Sequence, residues 1–239
     1  RSLEYQQAND RFGAITASFG FVVSVVLLLS GFFGWLDIQL RDWIEHPIAL
    51  SLVYFAVLFL ASDLMNLPFQ LYHTFVVEES FGFNKMTPSL FFMDKLKGYA
   101  LTAVLGGLIV GVFLYLVNEL GQPFWLYFWG VASVVMILLN MFYTSIFVPL
   151  FNKLTPLEEG SLKTAITNYA QQVNFPITNV YVIDGSKRSS KSNAFFSGIG
   201  SKKKVVLYDT LIEQHSEEEL VAIIAHEVGH YKKKHFISG

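Results

Sequence analysis

Leu220-Val-Ala-Ile-Ile-Ala-His226-Glu227-Val-Gly-His230 contains the pattern H-E-x-x-H. On a helix this spacing sets His226 and His230 one turn apart on one face. Both imidazoles can then bind one Zn²⁺, with Glu227 in reach of a water at the metal's open position. That is the layout of a metallopeptidase. The competing reading is a chance match on a half-buried helix with a structural histidine pair, and the flanking residues argue against it.

Those flanks read as a helix built for the motif. Ser216-Glu217-Glu218-Glu219 offers an N-cap hydroxyl, a glutamate three residues on, and acidic charge at the positive end of the dipole. One helix is predicted over 216–234. Val221, Ile224 and Val228 form its buried stripe, and Lys232, Lys233 and Lys234 sit at its negative end. Gly229 inside such a helix costs about 1 kcal/mol against alanine, which predicts a close neighbour packed on the backbone there.

Of the 239 residues 53% are hydrophobic and only 15% charged, too apolar for a soluble domain of this size and typical of a membrane protein. The net charge of −2 says nothing in favour of nucleic acid. With no cysteine, disulfides and thiolate metal sites are excluded, and His, Asp and Glu are the available zinc ligands.

Four uncharged or nearly uncharged stretches are long enough to cross about 30 Å of hydrocarbon. They lie near 12–36, 47–67, 99–117 and 124–151. Trp35 and Trp43 flank the first loop as interfacial residues do. Asn66-Leu67-Pro68 is expected to break or kink the second span, and the mixed composition from Tyr72 to Lys97 reads as a structured loop with short helices. Asp63 stands either at the interface or in a wet interior. Asn140, Tyr143, Thr144 and Ser145 serve either helix–helix hydrogen bonding or the lining of a polar cavity. The loops alternate in Lys plus Arg: two before the first span, one in 37–46, three in 72–98, none in 118–122 and many after Asn152. That alternation puts both termini on the cytoplasmic side.

Beyond Asn152 the composition is that of a soluble domain. Glu158–Val173 fits a helix, Asn179–Ile183 a strand, and Val205–Tyr208 a second strand paired with another across the link Ser197–Ser201. Helix, short sheet, then H-E-x-x-H helix is the order of zinc peptidases, in which an edge strand holds an extended substrate beside the metal. The basic clusters Lys187-Arg188 with Lys191, and Lys202-Lys203-Lys204, lack a nucleic-acid-binding fold and read as solvated loops or contacts to anionic head groups.

Several segments together resemble one family, the integral-membrane zinc peptidases called type I CaaX prenyl endopeptidases, whose core is shared with heat-shock membrane proteases. The matching stretches are Leu67–Tyr72, Thr74–Glu79, Gly82-Phe83-Asn84, Pro149–Lys153, Val180–Val182, Gly185–Ser190, Ser192–Phe195, Val206-Leu207 with Asp209–Leu211, and His226–His230. The resemblance implies a mainly α fold: a polytopic membrane helix bundle with a small α+β zincin-like metalloprotease domain. On this basis 1–151 is expected to be the membrane domain and 152–239 a cytoplasmic-side zinc peptidase domain, incomplete at its C-terminus.

The resemblance further implies cleavage of prenylated or membrane-associated polypeptides in a lipid bilayer, removing the C-terminal tripeptide of CaaX proteins. It makes Glu227 the catalytic base and His226 and His230 ligands of Zn²⁺, and it sets Asn193 and Ala194 along the substrate. The other readings are membrane-protein quality control and a non-catalytic scaffold or transporter. Such a family has seven spans, so one is expected before Arg1 and two after Gly239. Its third zinc ligand is a glutamate on a later helix, and the sequence ends nine residues after His230. His235 is no substitute, so the 239 residues alone are expected to hold zinc weakly and turn over slightly. The short link after Leu211, free of acidic insertions, points to a bacterial inner membrane; in a eukaryote the same chain belongs in the endoplasmic reticulum membrane.

Overall fold

The computed structural model describes residues 2–175, 177–197 and 203–232, with the side chains of Thr178, His230, Tyr231 and Lys232 outside the described set. Among these residues four helical stretches are long and apolar enough to cross a membrane: Ser2–Leu29, Pro47–Glu78, Pro88–Leu120 and Phe124–Phe151. Large apolar side chains such as Phe21 and Trp129 point outward along them, 71% and 68% exposed. A helix in hydrocarbon keeps its backbone polar groups satisfied internally and turns its apolar side chains to lipid, and these helices have that character.

The fourth stretch has the expected bounds, Phe124–Phe151, whereas the other three differ from the spans read from composition. Helix α1 (Ser2–Leu29) starts ten residues before position 12 and ends where Gly31 adopts φ 71°, a left-handed conformation suited to glycine. Phe32–Arg41 then forms a separate short helix, α2, covering the end of the expected first span and the first half of the loop expected at 37–46. Helix α3 (Pro47–Tyr72) opens on His46, whose ring Nδ1 accepts the Ala49 N–H, and runs through Pro68 without ending. It then widens into a π-helical turn over His73–Glu78. The expected break at Pro68 is therefore absent, because a chain in hydrocarbon loses more by releasing backbone groups than by carrying one missing N–H. Helix α4 (Pro88–Leu120) likewise begins inside the segment expected to be loop.

The chain divides into two compact units, residues 1–84 with 98–132, and residues 85–97 with 133–239. In the first, α2 lies against both α1 and α3, and α1 also meets the π-helical turn. Tyr5 bonds the Glu78 carboxylate and rests edge-on against Phe81 and Phe83, at 5.2 and 4.9 Å between ring centroids. Asn9 pairs with His73 at 2.8 Å. Asp63, half-buried, accepts hydrogen bonds from the Tyr99 hydroxyl and from Gln70 Nε2 at 3.1 Å. That carboxylate is thus held by polar side chains of the helices.

The second unit is built on a four-stranded sheet in the order β1-β2-β4-β3, with β1 Leu154–Pro156, β2 Ile177–Ile183, β3 Ala194–Ser197 and β4 Lys203–Tyr208. β4 runs parallel to β2 and antiparallel to β3. The β3–β4 hairpin is the pairing expected across the 197–201 link, whereas β1 was not foreseen; three residues show no measurable alternation. Successive β4 side chains alternate between faces. Val205 and Leu207 join Val180 of β2, Ile166 of α7 (Ser161–Gln172), and Leu220, Ile224 and Val228 of α9 (Glu217–Lys232) in the main core. Val206 points the other way, to Ile183 and to Val148 of α6 (Val148–Phe151).

Helix α6 is the end of the fourth long stretch, in which α5 (Phe124–Phe142) passes through a π-helical turn over Tyr143–Phe147. That turn gives its polar residues a use neither expectation named: they bond the sheet. The buried Thr144 hydroxyl pairs with Ser197 Oγ at 3.1 Å, and Ser145 Oγ accepts from Lys204 Nζ at 3.0 Å.

Gly185 is the tightest backbone position in this unit. A Cβ there would lie 2.8 Å from Tyr208 Cε1 and closer still to Cδ1. Gly185→Ala is expected to destabilise the protein by about 1–3 kcal/mol, read as a lower thermal unfolding midpoint. The same substitution in a Tyr208→Ala background should cost much less, because the clash is removed.

Candidate active site

The helix carrying the motif starts where the capping pattern predicts. Ser216 N–H donates to the Glu219 carboxylate at 2.9 Å, and Glu219 N–H donates to Ser216 Oγ at 3.4 Å, so the box closes reciprocally. A further anchor comes from α7, where the Ser161 hydroxyl bonds the Glu217 carboxylate. The backbone hydrogen bond from Ser216, reinforced by its hydroxyl, holds the Glu219 carboxyl below the usual carboxylate range. Leu220, Ile224 and Val228 then bury at 2%, 1% and 1% exposure, with Val221 packed beside them.

This stripe fixes the motif's orientation. His226 lies about 200° round the helix from Ile224, and His230 the same angle from Val228. The histidine positions therefore share the face turned away from the core cluster, with Glu227 on the flank. In agreement, His226 is exposed and Glu227 half-buried. The His230 side chain, Lys233, Lys234 and His235 lie outside the described residues. Among the described residues nothing comes within 4 Å of a Cβ built on Gly229, so the close neighbour expected there is not found and the glycine has no packing explanation.

The sheet brings Asn193 and Ala194 to its outer edge. β3 is the terminal strand, and α9 packs against it. Tyr208 N–H donates to the Asn193 carbonyl at 3.0 Å, making 193 and 208 a hydrogen-bonded pair, so by alternation the backbone groups of Ala194 and Phe196 face outward. The Asn193 side-chain oxygen accepts the outward Ala194 N–H at 2.9 Å. Among the described residues no strand lies beside the rest of that edge, where an extended chain can add.

The loop between β2 and β3 is densely held. Asp184 accepts the Lys153 N–H at 2.7 Å and Asn152 Nδ2 at 3.2 Å, and its other oxygen meets Lys187 Nζ at 2.5 Å. Burial alone would raise the Asp184 pKa; the bonds from Lys187, Lys153 and Asn152 outweigh it and keep the carboxyl below its ordinary value. Asp209, at the start of α8 (Asp209–Gln214), accepts both the Ser186 N–H at 2.9 Å and the Ser186 hydroxyl at 2.5 Å. The basic clusters are correspondingly not free loops. Lys203 is 7% exposed with its ammonium 4.3 Å from the Phe175 ring centroid, and Arg188 is paired with Asp94.

As a zinc site the donor set fits in part. His226 and His230 are neutral nitrogen donors at one-turn spacing, the donors zinc takes in a chain without cysteine. Catalytic zinc sites use three protein ligands, and among the described residues no three His, Asp or Glu side chains come together.

Comparison with known proteins finds two family models along the chain. Residues 1–153 match the family described as CAAX prenyl protease N-terminal, five membrane helices, and residues 156–239 match peptidase family M48. The probable CAAX prenyl protease 1 of Schizosaccharomyces pombe is 40% identical over 98% of this chain and 52% of its own length. The CAAX prenyl protease 1 of Saccharomyces cerevisiae is 42% identical over 84% of this chain and 45% of its own length. The crystal structure of S. mikatae Ste24p superposes with a TM-score of 0.91 at 37% identity, covering 98% of this chain and 57% of that one. The chain thus spans about half the length of the curated relatives it matches.

Ser216→Ala should lower stability by about 1 kcal/mol through loss of the cap. The carboxylate of Glu219 titrates lower when folded than when unfolded, so its contribution is present above the ordinary glutamate pKa and is lost as pH falls through the lower, folded value. Urea unfolding followed from neutral pH down through the carboxylate range should show a loss of stability that Glu219→Gln reduces.

Proposed function

The chain belongs to the M48 peptidase family, in its CAAX prenyl protease branch, and from that premise we propose that it carries the H-E-x-x-H helix and substrate edge of a multi-pass membrane zinc endopeptidase. The substrate is a prenylated polypeptide, cut to release the C-terminal tripeptide of a CaaX sequence. The observation that carries this reading is the packing of α9 against β3, the terminal strand among the described residues, in a chain with four membrane-length apolar helices.

In this reading His226 and His230 hold the metal. Zinc, when bound, lowers the pKa of a water and polarises a carbonyl. Glu227 stands one residue from His226 on the flank of the helix, half-buried, where a carboxylate can take a proton from water and return it to a leaving amine. The outward backbone groups of Ala194 and Phe196 hold the substrate extended. For the incoming chain to use the Ala194 N–H, the Asn193 side chain must release it, so Asn193 serves as an exchangeable partner on the edge.

Functionally we divide the chain into 1–151 in the bilayer and 152–239 as the peptidase domain on the cytoplasmic side, where the alternation of basic loops puts it. The relatives reported above are eukaryotic, which supports the endoplasmic reticulum membrane over the bacterial inner membrane suggested by the short link after Leu211.

In the intact protein, Glu227→Gln should retain zinc and abolish cleavage, and His226→Ala should lose both. Persisting turnover in Glu227→Gln would remove that residue as the base. A prenylated CaaX peptide should be cleaved far faster than its unprenylated twin; equal rates would move the function to general membrane-protein turnover.

A further inference from the structure

Arg188 joins three segments that are distant in sequence. Its Nε and Nη2 donate to the two oxygens of Asp94 at 2.7 and 2.9 Å, a bidentate pair. Nη2 also donates to the Phe151 carbonyl at 2.6 Å, at the end of α6. The Arg188 carbonyl accepts the Lys85 N–H at 3.0 Å, and its own N–H bonds the Gly185 carbonyl at 2.9 Å. Both charged side chains are largely buried, at 18% and 16% exposure. The segment that receives them is itself fixed: Thr87 Oγ1 accepts the Leu90 N–H at 3.2 Å as α4 begins, and Lys97 Nζ donates to the Leu150 carbonyl at 2.9 Å.

A buried guanidinium–carboxylate pair is weak evidence for stability, since desolvation offsets most of the attraction. Its strength is in direction, because the planar fork accepts one geometry. Arg188 stands five residues before Asn193, on the loop that launches β3. Downstream the loop is held by the Thr210 hydroxyl on the Lys191 carbonyl at 3.0 Å and by Ser192 on Gln214 at 2.6 Å.

We propose that Arg188, clamped to Asp94 and to the Phe151 carbonyl, is a positioning residue that sets the place of the β2–β3 loop and so of the substrate edge Asn193–Phe196, without taking part in metal binding. This rests on the peptidase reading for its catalytic consequence, though not for its structural one. Substrate held against a displaced edge meets the metal out of register, and a misplacement of the order of 1 Å costs roughly a hundredfold.

The test compares four variants of the intact protein in detergent: Arg188→Ala, Asp94→Ala, Arg188→Lys, and the charge-free double variant Arg188→Met with Asp94→Leu. The double variant covers the case in which a single substitution strands a buried charge and unfolds the protein, since removing both charges together leaves stability near that of the parent. Amide hydrogen exchange over 189–197 should quicken in the double variant and in whichever alanine variant folds, with α7 and α9 protected as before and bound zinc unchanged. For a prenylated CaaX peptide, kcat should fall roughly ten- to a hundredfold with a smaller change in KM, and Arg188→Lys should fall between because an ammonium cannot span both carboxylate oxygens and the carbonyl. Unchanged exchange over 189–197 in the double variant overturns the proposal, as does loss of protection spread evenly over α7, α9 and the loop. Should the parent show no Glu227-dependent cleavage, the peptidase reading fails on its own, and the exchange data still decide the clamp.

Discussion

Burial of β4 on both faces is the constraint on which the peptidase unit rests. Val205 and Leu207 are committed to the helices that carry and support the motif, and Val206 to the cluster that includes Val148, each at 1% exposure or less. A strand with two apolar faces cannot slip by one residue without exchanging its two cores. Because α9 and α6 are seated on opposite faces of one register, the height of His226 and the seat of the last turn of the fourth long helix are fixed together. The antiparallel pairing of β3 with the same strand then brings that terminal strand against α9.

Polar chemistry in this unit is used to hold loops. Asp184, Asp209 and Arg188 each gather backbone or side-chain groups from segments far along the chain, and each is occupied by partners within the protein. The edge itself is treated differently. The backbone groups of Ala194 and Phe196 face outward, one of them covered by the Asn193 side chain, so the position suited to an extended polypeptide is flanked by rigidly fixed residues and left adaptable at its centre. Such a contrast between a fixed frame and an open edge suits a site in which bound substrate is aligned by pre-set groups.

The two π-helical turns show how the long helices adapt. Each widens the backbone where polar side chains are recruited: His73 and Glu78 to Asn9 and Tyr5 in one unit, Thr144 and Ser145 to Ser197 and Lys204 in the other. One extra residue in a turn rotates the following side chains while keeping the backbone bonded, which is a workable way to redirect a helix where backbone groups cannot be released to water.

What the amino-acid order determined by itself was local: the cap at Ser216, the period that buries Ile224 and Val228, the one-turn spacing of His226 and His230, and the four apolar stretches, because each depends on neighbours within a few residues. The exact reach of those stretches was not legible, since hydropathy marks the apolar stretch of a helix while its ends are set by backbone bonding, as with α1 beginning at Ser2 and α3 running on through Pro68. Long-range partners were decided only by tertiary structure. Arg188 and Asp94 are 94 positions apart, the one read as part of a basic loop cluster and the other lying in the segment read as a structured loop, and Thr144 and Ser145 looked like lining or helix glue until the sheet came to meet them. Pairing of that kind is fixed by which faces the core brings together, and no periodicity along the chain encodes it.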